Sequence, residues 1–307
     1  MSPLSVTTAY RVGAWFARHL PEPLVTALVD VAARVAPRLA PARAFLARRN
    51  LERAWGRQLS DPEARRAVGE LFASYGRYWA ESFRLPSLTA EAVDAGFDLD
   101  GYEHLARAKH EGRGIILVLP HLGGWEWAAF WLTQIEGFGV TAVVEDINPP
   151  ELRDFFLGFR RDLGMEVVIL GPEAGPAVTG AVARGDIVCL LADRDIDGAG
   201  IPVEFFGEGT TLPAGPAALA LRTGAALIPT AVYFDGRGHR AVLRPPIPTE
   251  REDGFRKDVA RITQMVAHDL EVLIRQAPTQ WHLLQPNWPS DDAALAAAGF
   301  SSGEDDT

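Results

Sequence analysis

Gly114-Ile115-Ile116-Leu117-Val118-Leu119-Pro120-His121-Leu122-Gly123-Gly124-Trp125-Glu126-Trp127 is the most informative stretch of this 307-residue chain. Its first half is an unbroken apolar run of strand length; its second half passes a histidine and two glycines into a segment with helical spacing. An apolar run without alternation marks a strand covered on both faces, as in a parallel sheet. Comparable runs recur at 140–144, 166–170, 187–192 and 226–234. They alternate with helical stretches near 124–134, 149–163, 173–184, 214–223 and 254–277, and a short strand is expected at 241–243. The alternation predicts an α/β fold with a central, largely parallel (mixed) sheet flanked by helices.

Toward the N-terminus the texture changes to amphipathic helix. Val12, Trp15, Phe16 and Leu20 share one face while Arg11 and Arg18 take the other. Leu24, Val25, Leu28, Val31 and Val35 repeat the pattern until Pro37 and Pro41, which are expected to break it. Arg49, Arg53 and Arg57 form a stripe opposite Leu51 and Trp55. Ser60-Asp61-Pro62-Glu63 is a capping box with proline in the first turn, opening a helix expected to run to Arg84 and stop before Pro86. Basic amphipathic helices of this kind suit an anionic membrane surface. They suit equally well a layer packed on the protein's own core with arginines in solvent. Residues 1–97 thus read as an N-terminal amphipathic helical region, 98–290 as the α/β core, and 291–307, small and acidic, as a flexible tail.

Composition narrows the partners. A net charge of −10 argues against nucleic acid, yet residues 1–60 carry nine arginines and three acids, net +6. The 28 arginines against two lysines fit a GC-rich genome such as an actinobacterium's. Cys189 is the single cysteine, so no internal disulfide or Cys-based metal cluster can form; no metal is expected, and a reducing compartment is the natural reading. No apolar run reaches the roughly 18 residues of a membrane-spanning helix, and no cleavable signal with an uninterrupted apolar region is visible. G-x-S-x-G, G-x-G-x-x-G and P-loop signatures are absent, which removes the usual anchors for a serine hydrolase, a dinucleotide or an NTP.

The chemistry points to the strand ends. His121 stands at the C-terminal end of the first strand, where ligands of open α/β sheets bind. Glu126 follows five residues on, and a turn between them could fold the carboxylate back onto the imidazole. Histidine, with an ordinary pKa of roughly 6.5, is a usable base near neutrality. If the strands are parallel, the run at 187–192 delivers Asp193, Arg194 and Asp195 to the same edge; an ion pair tying Asp193 to Arg194 or Arg160 is the structural alternative. A strand-end cap is the corresponding alternative for His121. Trp125, Trp127, Phe130 and Trp131 could wall an apolar groove or simply fill the core. Amides after Gly123, at a helix start, could hold an oxyanion. His19, His104, His110, His239, His268 and His282 lack a carboxylate at a telling spacing and read as surface or packing residues. A base without a protein nucleophile suggests that the substrate supplies one, such as a hydroxyl attacking a thioester.

Several blocks, in order, carry a family resemblance: His121-x-x-x-x-Glu126, Ala192-Asp193-Arg194-Asp195, Phe205-Phe206-Gly207-Glu208, Leu212-Pro213-Ala214-Gly215-Pro216 and Trp281-His282-Leu283-Leu284-Gln285-Pro286. Together with Ser74-Tyr75-Gly76-Arg77-Tyr78-Trp79-Ala80-Glu81-Ser82-Phe83-Arg84-Leu85-Pro86, they resemble the bacterial lysophospholipid and lipid A acyltransferase superfamily, over about residues 45 to 290. Within it the chain is most similar to the actinobacterial branch that acts on phosphatidylinositol mannosides. The resemblance implies a peripheral enzyme at the cytoplasmic side of the plasma membrane. It would move a long acyl group, palmitoyl by preference, from acyl-CoA as co-substrate, with no cofactor, to a mannose hydroxyl of a mannosylated phosphatidylinositol. It also implies His121 as general base, Asp193 where similar enzymes carry a glutamate paired with that histidine, Glu126 as an orienting acid, and Arg160 and Arg194 as phosphate-binding or site-organising cations. An acyltransferase for another glycolipid or a lysophospholipid, and a non-catalytic lipid-binding protein, are the alternatives.

Overall fold

The computed structural model describes residues 3–196 and 198–300. Four helices lead: α1 (Pro3–His19), α2 (Glu22–Leu39), α3 (Pro41–Trp55) and α4 (Asp61–Arg84). A short α5 (Ala90–Ala95), β1 (Phe97–Asp100) and α6 (Tyr102–His110) connect them to a run of strand–helix units. These are β2 (Ile115–Leu119), α7 (Trp125–Gln134), β3 (Val140–Val144), α8 (Pro150–Asp162), β4 (Met165–Ile169), α9 (Ala174–Arg184) and β5 (Ile187–Leu191). A hairpin of β6 (Ile201–Phe205) and β7 (Glu208–Leu212) follows, then α10 (Gly215–Thr223), β8 (Ala226–Asp235), β9 (Gly238–Leu243), α11 (Phe255–Ile274) and α12 (Pro289–Ala297).

Seven strands form one sheet in the order β1-β9-β8-β2-β5-β3-β4. Strands β8, β2, β5, β3 and β4 run parallel and β9 is antiparallel to β8, so the sheet is mixed and mostly parallel. The physical reason for the unbroken apolar runs is visible in β2, where all five residues are buried. Ile116 and Val118 pack into the core layer under α9, α10 and α11, whereas Ile115, Leu117 and Leu119 pack into the opposite layer with Trp125, Ala129 and Phe130 of α7. Successive side chains point to opposite faces, and with both faces covered neither can be polar.

Helix α4 carries the N-terminal layer: α1, α2 and α3 all pack against it. Its start is the expected capping box, the Glu63 carboxylate accepting from the Ser60 N–H at 2.9 Å and the Ser60 hydroxyl at 2.6 Å.

Three expectations need correction. Pro37 does not break its helix; it is accommodated in the last turn of α2, and Pro41 opens α3 at its first position. The arginine stripe of α3 is not a free basic surface. Arg49 and Arg53 reach across to the buried Asp291 at 2.9 and 2.8 Å, Arg53 also pairs with Glu208 at 3.0 Å, and its guanidinium lies over the Trp288 ring. The flexible tail expected from 291 is instead ordered helix to Ala297, pinned by that same Asp291. Burial alone would raise the Asp291 carboxyl, but Arg53 and Arg49 outweigh it and hold it below the usual range.

Candidate active site

Strands β2 and β5 are neighbours in parallel register, with Leu119 opposite Leu191 and the Ala192 N–H bonded to the Leu119 carbonyl at 2.9 Å. Two residues beyond each strand end therefore lie side by side, and those residues are His121 and Asp193. The Asp193 Oδ1 accepts from His121 Nδ1 at 2.6 Å, and its Oδ2 accepts from the His121 backbone N–H at 3.0 Å. Because a carboxylate only accepts, it is Nδ1 that carries a proton in this bond, and Nε2 is the nitrogen left to face a substrate. Asp193 is fully buried while the His121 side chain is 37% exposed, so the imidazole bridges core and cavity. Burial pushes the Asp193 carboxyl up, but the His121 charge, the Nδ1 bond and a bond from the Trp281 indole outweigh it, leaving the acid below its ordinary range.

The turn that presents His121 is shaped by glycine. Gly123 has φ +59°, and a Cβ there would sit 1.8 Å from the Val232 carbonyl oxygen. Its N–H is bonded to the Gln280 carbonyl and that of Gly124 to the Val232 carbonyl. Those two amides are committed to the fold, so the Gly124 N–H drops out of the amides after Gly123 expected to hold an oxyanion.

Glu126 does not fold back onto His121. Placed in the first turn of α7, its buried carboxylate turns to the Tyr78 hydroxyl at 2.7 Å and to Arg160 at 3.1 Å. Burial pushes the Glu126 acid up against the pull of Arg160 and Tyr78. Arg194 does not pair with Asp193 either; it reaches Glu145 at 3.3 Å. Arg160 and Arg194 both border the cavity, each with a carboxylate partner.

His121 opens into a cavity of about 540 Å³. Val143, Val144, Leu170, Leu190 and Leu191 line it with apolar side chains, Trp79 of α4 adds an aromatic ring, and His282 and Gln285 add polar groups. Of the four aromatic residues expected to wall a groove, Trp125 does so, whereas Trp131 donates its indole N–H to Asp94 at 2.8 Å. Trp127 instead stacks on His239 with ring centres 4.2 Å apart and donates to the Val93 carbonyl, and Phe130 is buried in the core beneath the sheet. Helical rotation explains the split, since successive residues of α7 are turned about 100° apart and the aromatics, one to three residues apart, fall on different sides.

Sequence reasoning missed His282, Trp281 and Tyr78 as site residues. The His282 N–H donates to the His121 carbonyl at 2.7 Å, and its Nε2 lies 2.8 Å from the Ser74 hydroxyl of α4. Burial and the neighbouring His121 charge drive the His282 ring down to about 3, so it is neutral at physiological pH. Its partners lie on α4 and beyond β2, so no carboxylate spacing within its own segment could have marked it.

The sequence matches the family described as Bacterial lipid A biosynthesis acyltransferase over residues 4–290. It is 38% identical over 291 residues to the phosphatidylinositol mannoside acyltransferase of Mycobacterium tuberculosis (strain ATCC 25618 / H37Rv), covering 92% of this chain and 88% of that one. The phosphatidylinositol mannoside acyltransferase of Mycolicibacterium smegmatis is also 38% identical, over 286 residues, with 92% and 91% covered. The lipid A biosynthesis lauroyltransferase of Escherichia coli (strain K12) is 25% identical over 272 residues, with 87% and 86% covered. By the extent of these matches, the chain belongs to the bacterial lipid A biosynthesis acyltransferase family.

Proposed function

We propose that this chain transfers a long-chain acyl group, palmitoyl by preference, from acyl-CoA to a mannose hydroxyl of a phosphatidylinositol mannoside. The observation that carries the reading is the His121–Asp193 pair, joined through Nδ1, at the mouth of an apolar cavity in a member of an acyltransferase family. Nε2 takes the proton from the sugar hydroxyl as its oxygen attacks the thioester carbonyl carbon. The tetrahedral intermediate then expels the thiolate as the C–S bond breaks, and the imidazolium returns the proton to the leaving sulfur. Asp193 holds the ring and stabilises the imidazolium without itself taking the proton. The higher identity to the two mannoside enzymes than to the lauroyltransferase supports the mannoside acceptor.

The reading places the enzyme on the cytoplasmic side of the plasma membrane as a peripheral protein. Among the described residues no helix is long and apolar enough to cross a bilayer. Two helices nevertheless turn apolar side chains to solvent: Val12, Trp15 and Phe16 on α1, and Leu24, Leu28, Val31, Val35 and Leu39 on α2. Exposed Arg11, Arg34 and Arg38 lie on the same two helices. Helix α1 is seated beside the cavity, its Tyr10 ring edge-on to Trp79 at 5.5 Å. This combination supports docking on an anionic membrane that carries the acceptor.

His121→Ala should lower release of free thiol from palmitoyl-CoA, in the presence of a phosphatidylinositol mannoside, by about 10²- to 10⁴-fold without unfolding the chain. Near-normal turnover by that variant would sink the base assignment. Equal turnover with lysophospholipid or another glycolipid would overturn the acceptor, and thiol release by neither protein would mark a lipid-binding protein.

A further inference from the structure

The stretch between α11 and α12 runs antiparallel past the His121 turn as a strap. Leu122 pairs with Trp281, the His282 N–H donates to the His121 carbonyl, and Asn287 Nδ2 donates to the Asp193 carbonyl at 3.0 Å. Trp281 is 1% exposed and packs edge-on to Phe205 at 6.1 Å and Trp288 at 6.4 Å, so its ring is fixed. Its indole Nε1–H is spent on Asp193 Oδ2 at 2.7 Å.

We propose that Trp281 is a positioning residue for acyl transfer: its indole N–H sets the angle and the basicity of the Asp193 carboxylate that holds His121. This rests on the reading of His121 as the base. Three N–H groups converge on Asp193: His121 Nδ1 on Oδ1, and the His121 amide with the Trp281 indole on Oδ2. The side chain has a single methylene, so the carboxylate can follow the imidazole only if backbone and carboxylate are both held; Asn287 holds the first and Trp281 the second. Each donor also draws charge from the carboxylate. Removing one strengthens its pull on the ring, favours the imidazolium, and so protonates the base at a higher pH.

The test is Trp281→Phe in the full-length chain, which keeps an aromatic ring and deletes the donor. Trp288→Phe is the control, because Trp288 is equally buried and donates its indole N–H to the Phe205 carbonyl at 3.2 Å, away from Asp193. Other titratable groups border the cavity with His121: Tyr75 and Tyr78 of α4, Arg160 of α8, and Glu145 after β3. Arg194 and Asp195 after β5 and His282 on the strap complete the set. All are retained in both variants, so a difference between them reports the indole on Asp193.

Two readouts are compared: the pH profile of kcat/KM for thiol release from palmitoyl-CoA with phosphatidylinositol mannoside, and the imidazole resonances of residue 121 by ¹⁵N NMR without substrate. In Trp281→Phe the acid limb and the imidazole titration should both move up by about one pH unit. The plateau of kcat should fall about 10-fold, and the control should shift neither titration. If Phe leaves the chain unfolded, 3-benzothienylalanine at 281 exchanges only the N–H for sulfur and carries the same expectation. An unmoved titration in a folded variant overturns the proposal even when His121→Ala abolishes turnover. A moved titration, with turnover that does not need His121, instead overturns the base reading and leaves the clamp.

Discussion

Helices α1–α2 and helix α3 carry the same written pattern, arginines on one side and apolar residues on the other, and use it in opposite senses. In α3 the arginines turn inward: Arg53 is 9% exposed and ends on the fully buried Asp291. In α1 and α2 the apolar residues turn outward, with Trp15 54% and Val31 56% exposed. Amphipathicity fixes that a helix has two faces. Which one meets the protein depends on partners elsewhere in the chain, here an acid on α12.

The comparison breaks most visibly at Asp291. Asp291→Ala strands the Arg49 and Arg53 charges and should cost about 3 kcal/mol in denaturant unfolding; a loss below about 1 kcal/mol would mean the inward arginines are ornamental. The pH dependence has a definite sign. Asp291 is held below its unfolded value, so its contribution is present above about pH 4 and drains away as pH falls further. Asp291→Asn should therefore show a flatter stability profile between about pH 5 and pH 3 than the wild type, followed by circular dichroism.

The outward face is tested by Trp15→Ser with Phe16→Ser, which should weaken sedimentation with phosphatidylinositol-containing vesicles about 100-fold or more while leaving thermal unfolding unchanged. Unfolding that falls in step with binding would show that those rings belong to a core. Smaller still is the electrostatic part. Arg34→Ala with Arg38→Ala should reduce vesicle binding about 10-fold at low salt, an effect lost near 0.5 M salt as screening shortens the range of exposed charges. Arg53→Lys should leave that salt dependence untouched.

Much of the fold was legible because burial on both faces leaves no room for polar alternation. The strands at 115–119, 140–144 and 187–191 could be read within a residue. The β6–β7 hairpin was not, since its two-residue turn puts Phe206 at φ +55° before Gly207 at φ +76°. Asparagine or aspartate is the usual signal at the first of those positions, and phenylalanine hides it. At the site, His121 and Asp193 were readable as strand ends, whereas their pairing needed the β2–β5 register. Glu126 was misplaced because proximity in sequence stood in for direction: a helix start carried it toward α4 and α8, where Tyr78 and Arg160 are waiting.

The strap has a consequence for the order in which the protein comes into being. His121 and Asp193 are made early, but Trp281 follows His121 by 160 residues, and Asp291 comes later still. A nascent chain on the ribosome can build the sheet strands β2 and β5 long before it has the indole that steadies the acid or the carboxylate that gathers Arg49 and Arg53. Completion of the site and closure of the helical layer therefore fall to the same segment, and both wait until the chain has been made through Asp291.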